Sequence, residues 1–281
     1  MSGTLYVVAT PIGNMDEITP RALQVLSEAD LIAAEDTRNT GLFLNRLDIS
    51  AKLIAYHKFN EASRLDLLLG KLKSGQSIAL VSDAGTPCIS DPGYLLVKAA
   101  ADEGVTVVGV SGPCAVITAI SVSGFSAEPF LFLGFLPRKA GALVEAMDPL
   151  RFGTTIVFYE SPKRIAATVA LLAANFPEAS LCLCNDLTKK FERIYRGSAS
   201  DVLEALQNNP YAEKGEYTCV VYGLAAVPEE EETGRPSLES QLIDIIVKSG
   251  CSMKEAIKIL SQNHQKKEVY AASLRLKEIF P

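Results

Sequence analysis

Asp83 and Asp91 stand within one thirteen-residue stretch, Val81-Ser82-Asp83-Ala84-Gly85-Thr86-Pro87-Cys88-Ile89-Ser90-Asp91-Pro92-Gly93. Both carboxylates can accept hydrogen bonds from hydroxyl or ammonium groups. Gly85 and Gly93 let backbone amides come close to a ligand, and Pro87 and Pro92 fix φ and stiffen the loop. No Lys or Arg lies inside the stretch, so it makes a poor phosphate cradle. The ligand it implies is polar, rich in donors and not strongly anionic.

Four further segments carry residue types suited to binding or proton transfer. Thr10-Pro11-Ile12-Gly13-Asn14 has one glycine and lacks the spacing of a dinucleotide or Walker loop; a plain turn accounts for it as well as a ligand site does. Glu35-Asp36-Thr37-Arg38 offers two acids and a guanidinium. Acids near a helix start are electrostatically favourable, which covers Asp36 but leaves Glu35 and Arg38 unexplained. Ser111-Gly112-Pro113-Cys114-Ala115 and Tyr159-Glu160-Ser161-Pro162-Lys163-Arg164 each read as a strand end passing into a helix.

The elements that position these segments alternate from the start of the chain. Strand patterns are expected over 4–10, 31–34, 52–56, 77–81 and 105–110. Helical patterns are expected over 20–28, 38–47, 63–73, 94–101 and 113–122, with Thr19 capping the first and Thr37 the second. This βα array predicts a mostly parallel sheet covered on both faces. A second array has strands over 130–133, 155–159, 180–184, 191–196 and 217–222 and helices over 143–147, 162–174 and 199–207. Two of its strands flank a single short helix, which points to a mixed sheet. The fold class is α/β: an N-terminal α/β domain over 1–123 and a second over 124–227, with ligand segments at the carboxyl ends of strands converging on a cleft between them. Four successive Glu between prolines mark an acidic linker over 228–236. Residues 237–281 have helical periodicity, and Ser252 with Glu255 has the spacing of a capping box. With seven Lys and Arg against five Asp and Glu, this segment reads as a mildly basic, helix-turn-helix-like extension.

Composition narrows the classes. The chain has 281 residues, 48% of them hydrophobic, and a net charge of −6, which argues against nonspecific coating of nucleic acid. Local basic clusters remain, among them Lys163 with Arg164, and Lys189, Lys190 and Arg193. No apolar run reaches membrane-spanning length, and Met1-Ser2-Gly3-Thr4 lacks a basic leader, so neither a membrane span nor a signal peptide is expected. Six scattered cysteines without a C-x-x-C read as buried free thiols in a reducing cytoplasm, with no structural metal.

Taken together, Thr10-Pro11-Ile12-Gly13-Asn14, Glu35-Asp36-Thr37-Arg38, Ser82-Asp83-Ala84-Gly85-Thr86-Pro87, Ser90-Asp91-Pro92-Gly93, Gly112-Pro113, Gly134-Phe135-Leu136-Pro137 and Phe158-Tyr159-Glu160-Ser161-Pro162 resemble the tetrapyrrole methylase superfamily. Within it the resemblance is to the 16S ribosomal RNA 2′-O-ribose cytidine methyltransferases. It departs from that pattern at Glu17, Phe59, Ser111 and Asn185-Asp186. The resemblance implies S-adenosylmethionine held between two α/β domains by Pro11, Asp83, Gly85, Thr86, Pro87, Cys114, Ala115, Tyr159 and the backbone near Gly215-Glu216. It implies a cytidine in the decoding region of 16S ribosomal RNA, free or in the 30S subunit, as substrate, and a homodimer. For such a transfer the candidate catalytic residues are Glu35, Asp36 or Glu160 as base, Lys189 at the developing alkoxide, and Arg38 on the RNA. Two alternatives remain: a same-fold enzyme acting on a small tetrapyrrole of the precorrin type, and a non-catalytic ribosome- or RNA-binding relative.

Overall fold

The computed structural model describes residues 2–223 and 237–279, so the acidic run expected over 228–236 lies outside the described residues. The chain forms two compact units, Met1–Ala225 and Ala226–Pro281. The first carries two five-stranded sheets.

The first sheet comprises β1 (Thr4–Val8), β2 (Leu31–Ala34), β3 (Leu53–Ala55), β4 (Ile78–Val81) and β5 (Thr106–Val110), interleaved with α1 (Pro20–Glu28), α2 (Thr37–Arg46), α3 (Glu61–Lys73) and α4 (Tyr94–Asp102). Every pairing is parallel, in the order β3-β2-β4-β1-β5. A parallel sheet covered on both faces requires near-continuous apolar strands. The Leu-Ile-Ala-Ala of β2 and the Ile-Ala-Leu-Val of β4 meet that demand, buried at every position. One core gathers Leu5, Tyr56, Leu68, Leu80 and Leu96, and the other gathers Val8, Leu26, Ile32, Leu44 and Val81. Because the strands run one way, their carboxyl-end loops all emerge on one side, where ligands sit in open α/β sheets.

The second sheet comprises β6 (Phe130–Phe135), β7 (Thr155–Glu160), β8 (Ser180–Asn185), β9 (Arg193–Ser198) and β10 (Tyr217–Tyr222). Its order is β6-β7-β10-β8-β9, with β6 parallel to β7 and the other pairs antiparallel, the mixed sheet that the pattern predicted. α6 (Ala140–Ala146), α7 (Ile165–Asn175) and α8 (Ala199–Gln207) accompany it. One core holds Phe158, Leu172, Leu183, Val202 and Tyr217. The other is closed by α5 (Ala115–Ser123), whose Val116, Ala119 and Ile120 pack with Val157, Cys182 and Val220. This helix follows the last strand of the first sheet yet is cored into the second. It joins the two sheets within one body.

Several boundaries shift by one to three residues from expectation, and three of the shifts have a visible local reason. β1 stops at Val8, because Thr10 leaves the ladder to bridge Gly85. α2 starts at Thr37 rather than at Arg38, and its cap is Asp36, whose carboxylate accepts the Arg38 N–H at 2.8 Å. The strand expected over 191–196 forms only from Arg193, because Thr188 to Glu192 close a turn in which the Glu192 carboxylate accepts the Thr188 N–H. Cys182, Cys184 and Cys219 are buried free thiols, as expected; Cys88, Cys114 and Cys251 are free and half-buried.

The second unit contains α9 (Leu238–Ser249), α10 (Met253–Leu260) and α11 (Lys266–Ile279) around Leu242, Ala256, Leu260, Val269 and Ala272. Gly250 ends α9 at φ 63°, and the expected capping box of Ser252 and Glu255 starts α10. Among the described residues no helix is long and apolar enough to cross a membrane.

Candidate active site

Strand pairing brings the sequence segments together by fixed contacts. The Thr10 N–H donates to the Gly85 carbonyl at 2.8 Å and the Gly85 N–H returns to Thr10 at 3.0 Å, tying the loop after β1 to the loop after β4. The Thr86 hydroxyl donates to the Pro113 carbonyl at 3.1 Å, adding the segment before α5. Across the body, the Asn14 N–H donates to the Thr188 hydroxyl at 3.1 Å. A Cβ on Gly13 would fall 2.5 Å from the Lys189 side chain, so glycine is what lets the β1 loop close on the turn after β8.

These contacts enclose a cavity of about 470 Å³, the size of a small-molecule site. Of the residues singled out from sequence, Glu35, Asp83, Gly85, Thr86, Cys114, Ala115, Tyr159 and Glu160 line it. Pro11, Pro87, Asp36, Arg38 and Lys189 are not among the lining residues. Glu216 and Asp91 are, together with Ile12, Ile89, Phe135, Tyr217 and Thr218. Tyr217 and Thr218 were not anticipated. They arrive because β10 pairs with β7, setting Thr218 opposite Tyr159 and Tyr217 opposite Glu160, a long-range register that no local pattern reveals. Phe135 is exposed and packs against Tyr159 with ring centroids 5.6 Å apart; an aromatic beside Leu136-Pro137 at a strand end was the available signal.

The acids differ sharply in their surroundings. Asp36 is held by Arg38 through two side-chain hydrogen bonds, which keep its carboxyl well below the usual range. Glu160 has a fully buried side chain; its oxygens accept from the Ser161 N–H at 2.8 Å and the Thr168 hydroxyl at 2.8 Å, with Arg164 at 3.2 Å. The part of Glu160 that meets the cavity is therefore its backbone. Asp83 accepts from the Asp36 N–H at 3.2 Å and the Asn39 amide at 2.8 Å. Lys189 pairs with Asp186 at 2.9 Å and Glu216 at 2.8 Å. Among the described residues Glu35 receives only the Asp83 N–H at 3.4 Å, and burial, opposed by that bond, raises its carboxyl above the ordinary value. Asp91 is pushed up to about 6 by burial and then by the charge of Glu35. Burial likewise keeps the Tyr159 phenol protonated.

A set of carboxylate and hydroxyl acceptors beside an apolar wall of Ile12, Ile89, Cys114, Ala115 and Tyr159, with no Lys or Arg in the lining, suits a ligand bearing positive charge, hydroxyls and a flat ring. It does not suit a polyphosphate. Among the described residues no cluster of His, Cys, Asp and Glu could hold a metal ion.

The family model for tetrapyrrole (corrin/porphyrin) methylases matches residues 4–203. A protein of Streptococcus pyogenes serotype M1 named ribosomal RNA small subunit methyltransferase I is 44% identical over 274 residues, covering 96% of this chain and 94% of that one. A protein of the same name from Escherichia coli O157:H7 is 44% identical over 230 residues, covering 81% and 80%. The solved structure of a cobalamin biosynthetic enzyme, cobalt precorrin-4 methyltransferase, covers 78% of this chain and 94% of that one with a TM-score of 0.57 at 16% identity, a likeness of fold.

Proposed function

The chain belongs to the tetrapyrrole methylases, and from that membership we propose that it transfers a methyl group from S-adenosylmethionine to the 2′-oxygen of a cytidine in the decoding region of 16S ribosomal RNA. It is a methyltransferase of small-subunit ribosomal RNA; the donor, the nucleotide and the atom are the proposed part. We assign it further to the cytoplasm, as a homodimer, with the two α/β halves meeting near residue 124 and the helical unit from 237 as an added RNA-facing element.

The single observation that carries the choice of donor is the cavity lining, in which Glu35, Asp83 and Asp91 face the space with no Lys or Arg among them. S-adenosylmethionine supplies an electrophilic methyl on a positively charged sulfur. The acids of the lining match that charge, and Asp83 and the hydroxyl-bearing loop offer acceptors for ribose and ammonium donors. Tyr159, with Phe132 and Phe135 against it at 5.1 and 5.6 Å, gives a fixed flat wall for a ring. Pro87 and Pro11, outside the lining, stiffen the loops that present Gly85 and Ile12. The enzyme's main work in such a displacement is alignment, which a cavity built from cross-tied loops supplies.

The test is incubation of the protein with labelled S-adenosylmethionine and 30S subunits, and separately with free 16S RNA and with a precorrin. The label is then mapped by nuclease digestion and mass spectrometry. One labelled cytidine ribose is expected. Label on a base, or only on the tetrapyrrole, overturns the reading.

A further inference from the structure

Removing the proton from a ribose hydroxyl calls for a base inside the cavity, and the hydrogen-bond inventory leaves few. The Glu160 carboxylate is enclosed by Ser161, Thr168 and Arg164. Asp36 is bound to Arg38, Asp83 to the Asp36 N–H and Asn39, and Glu216 to Lys189. Among the described residues, Glu35, Asp83 and Asp91 are the carboxylates of the lining without an ion-pair partner, Glu160 being paired through Arg164 and Glu216 through Lys189; of these three, Asp83 is already held by the Asp36 N–H and the Asn39 amide. Asp91 sits in the same loop as the donor-facing Gly85 and Thr86. That loop is anchored beyond it by the Gly93 N–H donating to the Glu61 carboxylate at 2.8 Å.

Resting on the function proposed above, we propose that Asp91 is the catalytic base for the methylated hydroxyl and that Glu35, of the same lining, is a positioning residue. The hydroxyl O–H bond breaks with its proton passing to the Asp91 carboxylate and then to water. The hydroxyl oxygen bonds to the methyl carbon as the carbon–sulfur bond breaks, its electron pair remaining on sulfur. The charged and titratable groups facing Asp91 are Glu35 after β2, Asp83 after β4, Cys88 in its own loop and Tyr159 of β7. None is cationic, so among the described residues no ion pair holds Asp91, and only a hydrogen bond with the Ser82 hydroxyl works against the rise in its carboxyl. Its carboxyl, pushed up to about 6, is a stronger acceptor than an ordinary aspartate while still ionised at neutral pH.

The test compares wild type, Asp91→Asn, Asp91→Glu and Glu35→Gln on 30S subunits. Single-turnover rates are taken from about pH 5 to 8, and donor affinity is measured by calorimetry. Asp91→Asn is expected to slow methyl transfer by about 10²–10³-fold and to abolish the acid limb of the pH profile, while donor affinity, having lost one of three lining acids, falls by no more than about tenfold. Asp91→Glu restores part of the rate, which a merely structural role would not predict. Glu35→Gln moves the acid limb to lower pH without removing it. Asp91→Asn methylating at the wild-type rate, keeping the acid limb, or failing to bind the donor overturns the assignment; if Asp91→Asn does not fold, an Asp91→Glu rate with no pH-dependent recovery does so. Wild type that labels no ribose hydroxyl defeats the underlying reading instead, and this inference with it.

Discussion

The end of β2 and the end of β7 are built from similar letters, Glu35-Asp36-Thr37-Arg38 and Glu160-Ser161-Pro162-Lys163-Arg164, and they place their glutamates in opposite states. At β7 the chain turns into α7 so that Thr168 and Arg164 point back at Glu160, which disappears into three contacts. At β2 the neighbouring Asp36 takes the capping role and Arg38 binds Asp36, so Glu35 is left facing the cavity with one long hydrogen bond. The partners offered by the following helix decide whether a strand-end acid is structural or available. One end of the cavity is thereby a rigid support, and the other leaves its acid open to the space.

That contrast makes its largest prediction for stability. Glu160→Ala strands the Ser161 N–H, the Thr168 hydroxyl and part of the Arg164 charge in a buried place, and is expected to cost about 3 kcal/mol in urea denaturation. Methylation then falls with the folded fraction. Glu35→Gln, at the open end, is expected to change stability by less than about 1 kcal/mol. Equal losses for the two variants would erase the distinction.

Much of this architecture could be read from residue order. The helix from Pro20 to Glu28 and the strands from Leu31 to Ala34 and Tyr217 to Tyr222 stand where their periodicity puts them, since buried central strands and amphipathic helices carry strong local signals. The mixed character of the second sheet was readable from its strand count between helices. What could not be read was set by contacts distant in sequence. Asp36 rather than Thr37 caps α2 because the Arg38 N–H meets its carboxylate, a choice between adjacent capping residues that spacing does not decide. α5 is cored against the second sheet because its apolar face finds Val157, Cys182 and Val220, and its amphipathicity alone names no partner. The Glu35 and Glu160 motifs looked equally suited to proton transfer, and only the side chains returning from α7 separate them. Phe59, one of the departures from the related pattern, is 94% exposed, so it takes no part in the core.

A middle-sized effect concerns pH. The Asp91 carboxyl is raised to about 6 in the folded chain, above about 3.9 when unfolded. Between those values the folded state binds more protons than the unfolded one, so stability falls as pH rises from about 4 to about 6 and levels off above. The raised Glu35 carboxyl adds a contribution of the same sign. Asp91→Asn removes the penalty. Allowing for the partial solvent screening of this loop, it is expected to be more stable than wild type by about 1 kcal/mol at neutral pH and indistinguishable below about pH 4. Denaturation midpoints across that range check the sign; a variant less stable at neutral pH would mean that the Asp91 carboxylate is structurally engaged, as Glu160 is.

The smallest stability effect belongs to Arg38, and it separates the two ends by function. Its side chain is 87% exposed while pairing with Asp36 at 2.6 Å, a surface pair worth about 0.5 kcal/mol or less. Arg38→Ala should therefore leave the urea midpoint nearly unchanged and, since Arg38 does not line the cavity, leave donor affinity unchanged as well. If the open end of the cavity is where RNA approaches, the exposed guanidinium is placed to meet a phosphate, and losing it reduces the slope of log affinity against log salt by about 1. Binding of 16S RNA at several salt concentrations measures that slope. An unaltered slope with weakened methylation would place Arg38 with the chemistry, and an unaltered slope with full methylation would move the RNA path away from α2 toward the Lys189–Arg193 turn at the other sheet.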